Sequence, residues 1–229
     1  GDSLTESGAM ITAIKDGFGE NITLYGTQGT DPYKHEGRSA WSANDYLTLA
    51  SKGGRTNPFF NASTSRFDFA HYMANNPGFA DVQVVNVFLG RNDGYTATAA
   101  SRIKTIVDSI KAFNSNIAVT VMMGYHTADT NGGAGAQFQN TWDYRNGTFV
   151  INGALRSTFG GQESSRIYLV PQYVNLDTHW DYPHTMEQVS ARNTDTVYRV
   201  TDNVHPNDFG LQKFADVWYN YMQYIRASL

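Results

Sequence analysis

The sequence contains no cysteine, so disulfides and thiolate-bound metals are excluded. The absence leaves the redox compartment open. It has no apolar run long enough to form a membrane-spanning helix. It carries no excess of basic charge: the formal net charge is −4, and no broad cationic surface points to nucleic acid. It shows no internal repeat, no low-complexity tract and no interdomain linker. What remains is a chain of 229 residues with enough apolar side chains for one sizeable core. A single domain over residues 1–229 is expected. No signal peptide is visible.

Aromatic residues are plentiful, with 14 Tyr and 13 Phe. Their apolar faces and polar edges suit contact with sugars, and they equally fill cores and interfaces. Three triplets, at Asn21, Asn61 and Asn146, match glycosylation acceptors, a pattern that chance also produces.

Along the chain, apolar runs alternate in period. Ser7 to Phe18 and Trp41 to Ser51 read as short helices, with Ile22 to Tyr25 as a short strand. Phe59 to Phe79 looks like an insertion packed on the outside, with a helical part at Phe67 to Met73. Val82 to Leu89 is the best strand, apolar nearly throughout as a strand covered on both faces should be. Thr98 to Phe113 is an amphipathic helix, and Ile117 to Met123 a second buried strand. Tyr125 to Tyr144 reads as a loop, Phe149 to Phe159 as a helix and Ile167 to Val170 as a strand. A long loop from Gln172 to about Val200 leads to a last helix, Phe209 to Ile225, with Pro206 at its start. Alternating strands and helices predict an α/β fold with a mostly parallel sheet, in which ligands bind beyond the carboxyl ends of the strands.

The residues that carry chemistry sit in connections at that edge. Ser3, in Gly1-Asp2-Ser3-Leu4, is a candidate nucleophile; Asp2 or Ser3 also reads simply as a helix cap. His205 is a candidate base, and Asp202 lies three residues upstream, close enough to hold its ring. Asn92 follows the strongest strand, and its amide suits an oxyanion as well as a strand-ending turn. Gly37 offers an unobstructed backbone N–H for the same purpose. Asp2, Arg38, Arg91 and His126 are candidate substrate contacts. Asp129 is another; for His126 and Asp129 the alternative is a plain surface loop, and for Arg38 and Arg91 it is an ion pair or a solvent-facing role. Asp177, His179, Asp181 and His184 crowd one loop but match no metal template, so a solvated polar loop is expected.

Taken together and in order, Gly1-Asp2-Ser3-Leu4, Gly37, Gly90-Arg91-Asn92-Asp93 and Asp202-Asn203-Val204-His205-Pro206 resemble the four blocks of the GDSL or SGNH hydrolases. The resemblance spans essentially the whole chain. It implies a three-layer α/β/α sandwich of the flavodoxin-like kind. It implies Ser3 as nucleophile, His205 as base and acid and Asp202 as its orienting group. Ser3 N–H, Gly37 N–H and the Asn92 amide would form the oxyanion hole, and no metal or organic cofactor is needed. In such proteins the serine turn follows a buried strand. The sequence shows none before Gly1, so a first strand from a longer chain or a separate piece is expected.

More loosely, Asn57-Pro58-Phe59-Phe60-Asn61, Phe67-Asp68-Phe69 and Leu169-Val170-Pro171-Gln172-Tyr173 resemble GDSL proteins of phage tails and related secreted bacterial esterases. That resemblance implies an extracellular or virion-associated place, a larger assembly, and an acylated small molecule or surface glycan as substrate. The expected activity is hydrolysis of short acyl esters. A carbohydrate-binding or adhesion module without activity, and a lipid acyl hydrolase, are the alternatives.

Overall fold

A computed structural model describes residues 1–128 and 141–227. Asp129 lies outside the described residues, as does most of the Gly-rich stretch after His126.

The framework is a parallel sheet of three strands, β5 (Val84–Val87), β6 (Ala118–Met122) and β7 (Ile167–Val170), in the order β5-β6-β7. Val84 lies opposite Ala118, and Val119 opposite Ile167. β6 is buried along its whole length because it is the central strand. β5 has the same apolar character, yet Val84, Val85 and Asn86 are only half-buried. It is an edge strand among the described residues.

Helices supply the rest of the core. α2 (Ala9–Phe18) packs on α7 (Asp208–Arg226), and α5 (Ala97–Phe113) packs on α6 (Thr141–Phe159). Apolar residues at helical spacing explain these faces. Met10, Ile11, Ile14 and Phe18 are buried on α2, and Ile103, Ile106, Val107 and Ile110 on α5. Leu211, Phe214, Val217 and Trp218 do the same on α7. Asn207 caps α7 by accepting from Gly210 N–H at 3.0 Å, so the helix starts one residue after Pro206 and its cap.

Four sequence expectations need correction. Ile22 to Tyr25 is not a strand; nothing among the described residues pairs with it. Phe59 to Phe79 does not pack on the outside. It forms a hairpin, β3 (Phe60–Asn61) with β4 (Arg66–Phe67), then α4 (Phe69–Asn75), and it sends Phe67, Phe69, Tyr72 and Met73 into the main core. Its Asn and Ser residues make the turn, while its aromatics are core side chains. α6 begins at Thr141, earlier than expected. The long loop before His205 holds a second hairpin, β8 (His184–Ser190) with β9 (Asn193–Val200). Nearly all of it is exposed, so no apolar alternation marked it in the sequence. The first hairpin of all, β1 (Ser51–Lys52) with β2 (Arg55–Thr56), follows the short helix α3 (Ala43–Thr48).

Candidate active site

Ser3 opens α1 (Ser3–Glu6), a single helical turn. Asp2 caps it, accepting from Leu4 N–H at 3.1 Å. This turn is stitched to the loop at Gly37. Arg38 N–H donates to Gly1 O at 3.1 Å, and the Tyr46 hydroxyl lies 2.7 Å from both Gly1 O and Glu36 O. Glu6 reaches over and accepts from Ser39 N–H at 2.6 Å. Gly37 is glycine for a steric reason: a Cβ there would lie 2.5 Å from Glu6 N. Gly37→Ala should therefore force the loop off the serine turn. A loss of about 1–3 kcal/mol in urea unfolding is expected, the usual cost of overpacking, with a parallel fall in any ester hydrolysis.

The third block is tied to the same loop. Asn92 Nδ2 donates to Trp41 O at 3.0 Å, which fixes the amide's orientation and leaves its second hydrogen for another acceptor. The Asp93 carboxylate accepts from Ala43 N–H at 2.7 Å and pairs with Arg102 at 3.0 Å. Gly90 holds a φ of 117°, which glycine adopts without strain.

The fourth block closes the ring. Tyr95 Oη donates to Tyr125 O at 3.1 Å, and Tyr125 Oη donates to Val204 O at 2.9 Å. Ala128 N–H donates to Asn203 O at 3.3 Å. His205 then meets Ser3: Nε2 lies 3.1 Å from Ser3 Oγ. On the far side, Nδ1 lies 2.8 Å from Asp202 Oδ2. The other Asp202 oxygen accepts from Val204 N–H at 2.8 Å and His205 N–H at 3.0 Å. Burial alone would raise Asp202, but these bonds outweigh it and hold the carboxyl down at about 2. An ionised carboxylate only accepts, so Nδ1 carries the proton. In the neutral ring Nε2 is thereby the acceptor for the serine hydroxyl.

The structure thus brings Ser3, His205 and Asp202 into one array, with Gly37 and Asn92 in loops bonded to that turn and to each other. Gly37 N–H donates to His35 Nδ1 at 3.1 Å, so it is not free to meet an oxyanion in this conformation. Burial lowers His35's proton affinity, which keeps Nδ1 an acceptor.

Three charged candidates are buried. Asp2 is 2% exposed and spent on its cap, and burial raises its pKa. Arg38 is 2% exposed and is held by Thr56 O at 2.9 Å and Glu36 at 2.8 Å. Arg91 is 8% exposed, with its guanidinium 5.3 Å from the Tyr95 ring and 5.1 Å from the Tyr125 ring. His126 is half-buried against Phe149 and Tyr173, and its carbonyl accepts from the Tyr182 hydroxyl.

The Asp177–His184 loop is not merely solvated polar chain. Asp181 is buried and pairs with Lys213, while Asp177 accepts from His179 N–H and Trp180 N–H. Among the described residues no group of three such side chains is placed to hold a metal.

No family model matches the sequence, and no curated protein does. Solved structures do match the backbone. A family 3 carbohydrate esterase from Talaromyces cellulolyticus aligns at TM-score 0.61 and 18% identity, over 100% of this chain and 96% of its own. A family 3 carbohydrate esterase from Clostridium thermocellum aligns at TM-score 0.60 and 19% identity, over 99% and 94%. A mutant acetyl esterase with an acetate ion aligns at TM-score 0.59 and 18% identity, over 100% and 97%. The chain shares the backbone fold of these esterase structures. At such identities the likeness is one of fold.

Within this esterase fold, the sequence reading missed the residues that join the blocks. Trp41 O, Tyr46, Glu6 and Tyr125 each bond two of them together. Tyr125 follows the strand-ending Gly124, a weak signal that was available; the others carry none in the sequence.

Proposed function

We propose that this protein is a serine esterase that removes short acyl groups, acetyl above all, from a carbohydrate. The single observation that carries the reading is the approach of Ser3 Oγ to His205 Nε2 at 3.1 Å, with Asp202 behind the ring at 2.8 Å. Ser3 attacks the ester carbonyl while His205 takes its proton. Ser3 N–H and the second hydrogen of Asn92 receive the oxyanion, and Gly37 N–H joins them if it leaves His35. His205 protonates the leaving alcohol, then activates water to free the acid and the enzyme. The same reading places the α2–α7 and α5–α6 pairs on opposite faces of the sheet, as a three-layer fold requires.

A sugar is favoured by an aromatic cluster beside the histidine loop. Trp180 is 57% exposed, whereas Trp41 and Trp218 are buried. Its ring stands nearly perpendicular to His179, Tyr198 and His184, with centroids at 4.6, 5.3 and 6.0 Å. Its carbonyl accepts from Asn207 Nδ2 at 3.0 Å, two residues beyond His205. A braced, exposed indole gives a pyranose an apolar face at little entropic cost.

The test is acetate release from O-acetylated oligosaccharides, with nitrophenyl acetate as a small reference substrate. Trp180→Ala should raise KM on the oligosaccharide about tenfold, a typical loss for one aromatic contact, and leave nitrophenyl acetate unchanged. Preference for long-chain nitrophenyl esters over acetyl sugars would instead favour a lipid substrate.

A further inference from the structure

Gly37 is buried, and its N–H donates to His35 Nδ1 at 3.1 Å. The direction of that N–H is fixed. Its planar peptide unit also carries Glu36 O, which the Tyr46 hydroxyl holds at 2.7 Å and Arg38 Nη1 at 3.2 Å. On the other side of Gly37, Arg38 N–H donates to Gly1 O at 3.1 Å. Turning the Gly37 N–H toward a new acceptor would break these bonds. The imidazole is held less tightly. His35 is half-buried, and among the described residues the ring's one hydrogen bond is the one it accepts from Gly37. Its backbone is paired with Gln28 through both N–H and C=O, so the ring can turn while the chain stays.

A buried N–H with no acceptor is unfavourable. An oxyanion hole lacks its anion between turnovers, and His35 Nδ1 supplies Gly37 with an acceptor for that interval. Burial lowers the proton affinity of His35, which keeps Nδ1 able to accept. A hydrogen bond to an ionised oxygen is roughly twice as strong as a neutral one, so an oxyanion outcompetes the ring. Because the peptide is fixed, the two acceptors compete for one position, and it is the ring that yields.

We propose that His35 is a latch on the oxyanion hole: its ring occupies the acceptor position in front of Gly37 N–H at rest and swings away as negative charge develops on the bound ester. His35 acts through Gly37, as a positioning residue. Each turnover gives up one neutral hydrogen bond before the third donor engages, so the latch holds the rate below what Ser3, His205 and Asp202 would otherwise reach. This inference rests on the serine-esterase reading of the same site.

The test measures kcat and KM on nitrophenyl acetate for the native protein, His35→Ala and His35→Asn, with the Tm of each as a control. His35→Ala removes the acceptor and should raise kcat about threefold to tenfold, the worth of one neutral hydrogen bond. KM should stay unchanged, because the Michaelis complex holds a neutral carbonyl. A side chain that merely braced the loop would lower activity when removed. In His35→Asn the amide oxygen can accept from the N–H two residues on, so kcat should return to the native value. An unchanged or lower kcat in His35→Ala at native Tm would overturn the latch. An equal rise in both variants would assign the effect to ring bulk and overturn it too. If His35→Ala fails to fold, the native protein decides. The nitrogen–nitrogen coupling across the bond from Gly37 N–H to His35 Nδ1 should be present at rest and vanish once Ser3 carries a phosphonate, formed as Ser3 Oγ displaces nitrophenolate from a nitrophenyl phosphonate ester and its proton passes to His205. Coupling that persists in the adduct, or is absent at rest, would overturn the latch. A native protein that neither hydrolyses the ester nor takes the phosphonate would end the esterase reading and the latch with it, whereas ester hydrolysis indifferent to His35 would end the latch alone.

Discussion

Ser3→Ala is expected to lower kcat for nitrophenyl acetate by about 10⁴-fold or more, leaving only the background rate. The substitution is unusually clean here. α1 is capped by Asp2, not by the serine hydroxyl, so the turn keeps its bonds when the hydroxyl is gone. The stitches from Arg38 and Tyr46 to Gly1 are also untouched. Unfolding curves of the two proteins should therefore coincide while their rates diverge. Equal rates for the two proteins, with glycan binding retained, would make the chain an adhesion module instead. Comparison on acetyl sugars and nitrophenyl acetate together separates a missing nucleophile from a missing sugar contact, since Trp180→Ala should affect only the first substrate.

The parts of the fold legible in the sequence were those whose burial is one-sided or complete. β6 and β7 read as strands because nearly every residue faces core, and α5 reads as a helix because Ile103, Ile106, Val107 and Ile110 repeat at the helical period. The β8–β9 hairpin was invisible for the opposite reason: it buries almost nothing, so its pairing leaves no apolar period. Phe59 to Phe79 misled because two jobs share one stretch, with Asn61 and Ser63 turning the chain while Phe67 and Phe69 enter the core.

The array of Ser3, His205 and Asp202 was legible as residue types in order. Their convergence depends on bonds no local pattern encodes. Tyr95 to Tyr125, Tyr125 to Val204 and Asn92 to Trp41 each cross many residues of sequence. Charge was the least legible feature. Arg38 and Arg91 look like anion contacts in a sequence, yet one is bonded to Glu36 and Thr56 O and the other lies against two tyrosine rings.

Asp202→Asn should lower kcat by about 10⁴-fold while leaving the fold intact. The side chain has the same size, and its oxygen still accepts from Val204 N–H and His205 N–H, so the loop is held. The other terminal atom becomes an NH₂ facing His205 Nδ1, where it can only donate. The neutral ring must then carry its proton on Nε2, the atom that should receive the proton of Ser3. Acid behaviour separates this role from a merely structural one. The carboxyl is held down at about 2 from an ordinary 3.8, so its contribution to stability is complete above the ordinary value and lost as pH falls through about 2. The stability difference between the two proteins should close over that window and be constant above it. Loss of activity on acidification at any pH above about 4 cannot come from Asp202. If the Asp202→Asn variant turned over at the native rate, His205 would need no carboxylate behind it, and the proposed division of labour would fail.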